Sequence, residues 1–215
     1  MGSRFEDRTD AGVRLAAVLS QFRDRPDTIV LGLARGGIPV AAAVAKALHL
    51  PLGTVLVRKL GIPGHEETAY GALAWARGRT VRLLNKPLLD RVLANGVRQE
   101  WLDEVEERER GELQRRVELY PRADHDLAGK TVLLVEDGLA TGATMRAAVE
   151  AARKTGAATV VAAAPVGSIE AAASVERVCD AALCLYLPGK FRAVGSFYRH
   201  FEQLTDDDAI TYLEQ

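Results

Sequence analysis

The chain has 215 residues, of which 48% are hydrophobic and 27% are charged. These proportions are typical of globular proteins, so we expect a single domain over residues 1–215. A formal net charge of −1 provides no overall basic field for nucleic acid, and we expect no nucleic-acid partner. Two cysteines, Cys179 and Cys184, fit small buried side chains in a reducing compartment, not a disulfide or a metal pair.

The sequence has no feature that indicates export or a membrane. Its first residues lack the cationic start and apolar run of a signal peptide. The longest apolar stretch, residues 157–166, is too short to cross a bilayer. We therefore expect a cytoplasmic protein without a membrane partner.

The first predicted elements are a helix, a strand and a second helix. Apolar spacing predicts an amphipathic helix over residues 10–23, with Asp10 as its N-cap. A run of apolar residues predicts a buried strand over 28–33, and an alanine-rich segment predicts a helix over 40–48.

The loop between that strand and that helix is a candidate anion site. Arg35 supplies paired donors, and Gly36 and Gly37 allow an unusual backbone path close to a ligand. The alternative is a tight turn with a solvated Arg35.

A second strand is predicted over residues 53–57, followed directly by Arg58 and Lys59. The carboxyl ends of parallel strands meet at one edge of a sheet, so these cations would face the same edge as Arg35. They would neutralise a leaving anion there, or they would form a solvated pair.

Residues 60–71 are rich in glycine, proline and charge, and this composition predicts a mobile loop. A hairpin follows, with strands over 72–76 and 80–84 around a turn at 77–79. Asn85 is expected to cap a helix over 87–94.

A long charged helix is predicted over residues 97–120. It would be largely solvated and packed by a thin apolar seam. The alternative is that Trp101 forms a subunit contact, which would produce a homodimer.

The second half of the chain alternates between strands and helices. Strands are predicted over 131–135, 159–165 and 178–186; helices are predicted up to Thr155, over 168–177 with Ser168 as cap, and over 206–213 with Thr205 as cap. This alternation is typical of an α/β fold with a doubly wound, mainly parallel sheet flanked by helices.

The most informative stretch follows the strand at 131–135. Glu136 and Asp137 stand at the predicted strand end, and a loop of small residues then leads into a helix. Free N–H groups at the start of a helix favour a phosphate, while paired carboxylates repel one and suit hydroxyl groups or a metal. The local chemistry therefore indicates a ribose 5-phosphate.

Residues 136–144, Glu-Asp-Gly-Leu-Ala-Thr-Gly-Ala-Thr, resemble the signature of the type I phosphoribosyltransferases. The resemblance implies that Glu136 and Asp137 hold the ribose hydroxyls of phosphoribosyl pyrophosphate. The remaining site residues would wrap the 5-phosphate: Gly138, Ala140, Thr141, Gly142, Ala143 and Thr144. Without a ligand, the same stretch would be a strand–turn–helix with glycine and threonine capping.

The same family pattern extends to three other segments. Arg35-Gly36-Gly37 is similar to the family's pyrophosphate loop, and Arg58 and Lys59 would act on the leaving pyrophosphate. Residues 60–71 would be a flexible lid that excludes water. Ala69-Tyr70 stands where many members have Ser-Tyr, and His65 is expected to be an exposed lid residue.

Residues 187–204 form the predicted hood over the acceptor base. Lys190-Phe191 is similar to the purine salvage enzymes, which implies that Phe191 stacks on the base. This chain has one extra residue before Gly195, and Arg199 replaces an Asp of those enzymes. The alternative is that the rings, above all Phe197 and Tyr198, pack the hood against the core.

The implied activity is Mg²⁺-dependent transfer of ribose 5-phosphate from phosphoribosyl pyrophosphate to a small planar base. The metal would be held mostly by ligand oxygens, with Glu136 and Asp137 contributing at most indirectly. Ala140 stands where some purine enzymes have the Asp proposed as base, so no general base is assigned. The alternatives are a nucleotide- or RNA-binding regulator on the same fold, and an α/β nucleotide-binding module without transferase activity.

Overall fold

The computed structural model describes residues 5–76, 78–121 and 125–214, so Arg77 of the predicted hairpin turn lies outside the described residues. The helices are α1 Arg8–Val18, α2 Gly37–Leu48, α3 Lys86–Ala94, α4 Gln99–Leu119, α5 Ala143–Lys154, α6 Ile169–Glu176 and α7 Asp206–Leu213. The strands are β1 Thr28–Leu33, β2 Leu52–Val55, β3 Val57–Ile62, β4 His65–Ala76, β5 Arg79–Leu84, β6 Thr131–Val135, β7 Thr159–Val166 and β8 Ala181–Tyr186.

A parallel sheet with the strand order β2-β1-β6-β7-β8 forms the centre of the fold. Gly32 of β1 lies beside Val135 of β6, so these two strands end together. The loops that follow them, before α2 and α5, therefore start at neighbouring points of one sheet edge. The predicted doubly wound α/β fold is confirmed.

Helices cover both faces of this sheet, because its central strands are apolar on both sides. Side chains such as Leu133 and Val135 pack against α1 and α2. Their neighbours, such as Val132 and Leu134, point to the other face. They belong to a core cluster with residues of α5 and of the antiparallel strands.

The predicted loop over residues 60–71 was wrong. This segment ends β3 and begins β4, which pair with β5 in an antiparallel sheet, and the connecting turn is at Pro63 and Gly64. The glycines mark strand irregularities instead of a loop: the register shifts at Gly61, and a Cβ on Gly71 would overlap the Leu83 carbonyl oxygen of β5. The predicted strand 53–57 is divided between β2 and β3.

The long charged helix is confirmed as α4, and it is largely exposed with a thin buried seam, as predicted. Leu102, Val105 and Leu113 are buried against the antiparallel sheet. The Tyr70 hydroxyl donates a hydrogen bond to the Leu102 carbonyl oxygen (2.9 Å), which ties β4 to α4. Trp101 is 39% exposed beneath the Arg98 guanidinium, and its subunit contact stays a prediction.

The remaining helix boundaries are close to those predicted. Asn85, Ser168 and Thr205 cap α3, α6 and α7 with their side chains. The first helix starts earlier than expected, because Asp7 and not Asp10 is its N-cap. None of the described helices combines the length and apolarity that crossing a membrane requires.

The hood, residues 187–204, is joined to the beginning of the described chain. The Phe5 amide donates to the Phe197 carbonyl oxygen (2.8 Å), and the Arg199 amide donates to the Phe5 carbonyl oxygen (2.9 Å). Phe5 and Tyr198 are both buried, with ring centroids 5.3 Å apart. These contacts place α1 next to the hood.

Candidate active site

Two helices begin at the edge where β1 and β6 end, and both have glycine N-caps. Gly36 precedes α2 and Gly142 precedes α5; among the described residues, neither helix has a side-chain cap. The Ala143 N–H donates to Thr141 Oγ1 (3.4 Å) and the Ile38 N–H donates to a backbone carbonyl oxygen (3.1 Å), so the remaining first-turn N–H groups are the ones available to an anion. Both helix dipoles favour negative charge there. Gly142 has φ +69°, a conformation that favours glycine.

The acidic pair lies between these two helix starts. A Cβ on Gly36 would overlap the Asp137 carboxylate, and a Cβ on Gly37 would overlap the Val135 carbonyl oxygen. The predicted pyrophosphate loop and the predicted ribose loop are thus in direct contact. The glycines at 36 and 37 are required by this close approach of the two loops.

Asp137 is held by α1 and by the hood. Arg8 Nε donates to Asp137 Oδ2 (2.9 Å), and the two side chains are only 11% and 16% exposed. Arg8 also donates to the Glu202 carbonyl oxygen (3.0 Å) and lies 3.9 Å from the Phe201 ring centroid. The Tyr198 hydroxyl donates to the Asp137 carbonyl oxygen (2.6 Å).

Glu136 differs from Asp137, because its carboxylate accepts no hydrogen bond from the described residues. Burial, and then the neighbouring Asp137 charge, raise the pKa of Glu136 to about 8, although Lys59 opposes the rise. Burial also raises the pKa of Asp137, and Arg8 opposes that shift. Both carboxylate oxygens of Glu136 are therefore available to a ligand, whereas one oxygen of Asp137 accepts from Arg8.

Arg58 and Lys59 lie within β3, so their predicted position at the end of a parallel strand was wrong. They nevertheless face the anion loops: both line a cavity of about 360 Å³ together with Ala34 and Thr144. Lys59 also lines a cavity of about 620 Å³ between the antiparallel sheet and α5, where Thr141 and Ala143 contribute. Arg58 binds Glu109 of α4, with Nε 2.8 Å from Oε2.

Sequence and structure comparisons agree on the family of this chain. The family model described as the phosphoribosyl transferase domain matches residues 7–181. Two Mycobacterium tuberculosis proteins, each named "Putative phosphoribosyl transferase", are 42% identical over 213 residues, covering 98% of this chain and 46% of each relative. The chain belongs to the phosphoribosyltransferase family. It spans about half the length of these curated relatives.

A solved structure of similar size extends this likeness to the three-dimensional fold. The protein TT1426 from Thermus thermophilus is 38% identical, with a TM-score of 0.81. The alignment covers 98% of this chain and 97% of that one. The similarity therefore includes α4 and the hood, as well as the phosphoribosyltransferase core.

Within this phosphoribosyltransferase fold, the hood rings mostly contact each other. Phe191 stacks on Phe197, with centroids 5.7 Å apart and planes at 21°, so one face of the Phe191 ring is covered. Tyr198 is buried, which agrees with the alternative that it packs the hood. Val194 lies on Gly138, where a Cβ would overlap its methyl groups. The role of Phe191 in base stacking stays a prediction.

Several residues at the candidate site were not found from the sequence. Arg8 precedes the predicted first helix, and Glu109 and Arg116 occur in a helix where charged residues are ordinary. Arg116 lines the same cavity as Ala34 and Lys59, so the end of α4 lies near the predicted pyrophosphate loop. The sequence predicted α4 itself, but its high density of arginine was the only signal for a position at the site.

Proposed function

We propose that this chain transfers ribose 5-phosphate from phosphoribosyl pyrophosphate to a nitrogenous base and releases pyrophosphate. The observation that carries the proposal is the convergence of two helices with glycine N-caps on one acidic pair. Two anion sites on either side of a carboxylate match a sugar that has a phosphate at one end and a diphosphate at the other.

Each part of the donor has a complementary part of the site. The 5-phosphate would bind at the start of α5, in the loop of Ala140 to Thr144. The ribose hydroxyls would bind Glu136, whose carboxylate oxygens accept no hydrogen bond from the described residues. The diphosphate would bind Arg35 and the Gly36–Gly37 amides, close to Lys59.

Asp137 has a more restricted role in this proposal than its neighbour. Its Oδ2 already accepts from Arg8, and its carboxylate lies against Gly36. Asp137 would contact the ribose through its other oxygen while it holds α1 and the hood at the sheet edge. The two carboxylates are therefore not interchangeable.

We include Mg²⁺ in the proposed reaction. Carboxylate and phosphate oxygens are the ligands that this ion prefers, and Glu136 and Asp137 offer carboxylates at the site. The diphosphate and the ribose would supply most of its ligands. Glu136 would be the protein group that offers a carboxylate oxygen. The ion would supply charge neutralisation to the leaving diphosphate.

The acceptor would enter beneath the hood, near Phe191. A planar base is expected because Phe191, Phe197 and Tyr186 form an aromatic group there, with Tyr186 edge-on to Phe197 at 5.7 Å. Ala140 provides no proton-accepting side chain, so the base would lose its proton to another group.

The test is incubation of the protein with Mg²⁺, phosphoribosyl pyrophosphate and a panel of purine, pyrimidine and nicotinic-type bases. We expect release of pyrophosphate with one class of base and with no other. Binding of the donor without release for any base would favour the nucleotide-binding alternative. Absence of both binding and release would contradict the proposal.

A further inference from the structure

The cavity of about 360 Å³ beside the pyrophosphate loop has a wall that belongs to α4. Ala34, Lys59 and Thr144, which adjoin the proposed donor site, belong to its lining. Arg108, Glu109 and Arg116 of α4 belong to the same lining. Neither arginine belongs to the loops that the family signature identifies.

The charges of this cavity are strongly unbalanced. Four cations line it, namely Arg58, Lys59, Arg108 and Arg116, while Glu109 is the one carboxylate in the described lining. Glu109 is buried, and it accepts from Arg58 on Oε2 (2.8 Å) and from Arg108 on Oε1 (3.1 Å). One carboxylate thus fixes two of the four cations in the described lining.

Arg116 is held in a similar way from within its own helix. Its side chain is only 10% exposed, and Nε donates to Glu112 Oε1 (2.9 Å). An ion pair through Nε leaves the terminal nitrogens of a guanidinium as donors for a second anion. Glutamates on α4 therefore orient both arginines before any ligand binds.

We propose that Arg108 and Arg116 of α4 bind the diphosphate of phosphoribosyl pyrophosphate, so that a fixed helix completes the leaving-group site. This inference rests on the proposed function and adds α4 to its machinery. Guanidinium groups on a preformed wall bind diphosphate oxygens with little loss of side-chain entropy. The β3–β4 hairpin, which carries Arg58 and Lys59, is attached to the same helix and would approach the diphosphate from the opposite side.

The 5-phosphate is a less suitable occupant of this cavity. Its proposed site is the start of α5, where first-turn N–H groups and the helix dipole neutralise a phosphate. The α4 arginines should therefore distinguish ligands that carry a diphosphate from ligands that carry only the 5-phosphate. This difference separates a binding role from a general effect on folding.

The experiment measures the affinity of phosphoribosyl pyrophosphate, pyrophosphate and ribose 5-phosphate by calorimetry with Mg²⁺. The variants are Arg108→Ala, which alters an exposed side chain, and Arg116→Lys, which keeps the charge at a buried position. Arg110→Ala is the matched control, because Arg110 is on the same helix but pairs with Glu106. Thermal unfolding of each variant reports on folding.

We expect Arg108→Ala and Arg116→Lys to bind the two diphosphate ligands about tenfold more weakly, the effect of losing one charge-assisted hydrogen bond. Ribose 5-phosphate should bind as it does to the wild type, and Arg110→Ala should change neither class. Unchanged pyrophosphate affinity in both arginine variants, or equally weaker binding of all three ligands, would overturn this inference but not the proposed function. A wild type that binds none of the three ligands would overturn the proposed function as well.

Discussion

The β6–α5 loop and the hairpin–α4 unit (β3, β4 and α4) face the same cleft, but they are built by different means. The loop presents backbone N–H groups and depends on glycines that allow close approach. The hairpin–α4 unit presents side chains, which are fixed by ion pairs such as Arg58–Glu109. The loop should therefore be sensitive to added volume, whereas the hairpin–α4 unit should be sensitive to lost charge.

The largest expected effect comes from adding one methyl group at Gly36, which precedes α2 and lies against Asp137 of the β6–α5 loop. In Gly36→Ala the Cβ would displace the Asp137 carboxylate and break its pairing with Arg8. Gly36 has helical dihedrals, so alanine fits the backbone itself. We expect phosphoribosyl pyrophosphate to bind about 10- to 100-fold more weakly by calorimetry, with the fold retained. Unchanged affinity would contradict the volume sensitivity of this edge.

The second effect concerns how the free energy of unfolding depends on pH through Glu136. Glu136 has a pKa of about 8 in the folded chain and 4.5 as its ordinary value. Between these values the folded chain binds the extra proton, so the free energy of unfolding falls as pH rises. We expect Glu136→Gln to remove about 1–2 kcal/mol of this fall, an amount reduced because the side chain is partly exposed. Denaturant titrations of both proteins between pH 5 and pH 8 measure the difference.

A smaller effect tests the attachment of the hairpin to α4. Tyr70→Phe removes the hydrogen bond from the Tyr70 hydroxyl to the Leu102 carbonyl oxygen. We expect the free energy of unfolding to fall by about 1 kcal/mol in urea titration. Ribose 5-phosphate should still bind normally, because its proposed site lies on the loop before α5. Weaker binding of that ligand would show that the two regions are not independent.

The smallest effect is an increase in stability. Gly111 lies on the exposed side of α4, and a Cβ there would meet open space. Gly111→Ala should raise the free energy of unfolding by about 0.5–1 kcal/mol without changing ligand affinity. It is the matched control for Gly36→Ala, since the same substitution is made where no neighbour opposes it. A loss of donor affinity would mean that α4 affects the site through its helical stability.

The parts of the site that were predictable from sequence are those whose chemistry is local. Gly142 and the residues around it specify a turn and a helix start within a few positions, so the sequence pattern alone indicated the loop before α5. The Arg8–Asp137 pair joins residues 129 positions apart, and no local pattern indicates it. The β3–β4 hairpin was missed because Gly61 and Gly71 suggested a loop. In the structure, Gly61 lies at a β-bulge and Gly71 at a close contact between strands.

The most direct test is a calorimetric titration of the wild-type chain with phosphoribosyl pyrophosphate and Mg²⁺, repeated in the presence of pyrophosphate and of ribose 5-phosphate. We predict one binding site per chain, with competition from both of these ligands, because each would occupy one end of the donor site. Binding that neither ligand displaces, or no binding at all, would contradict it.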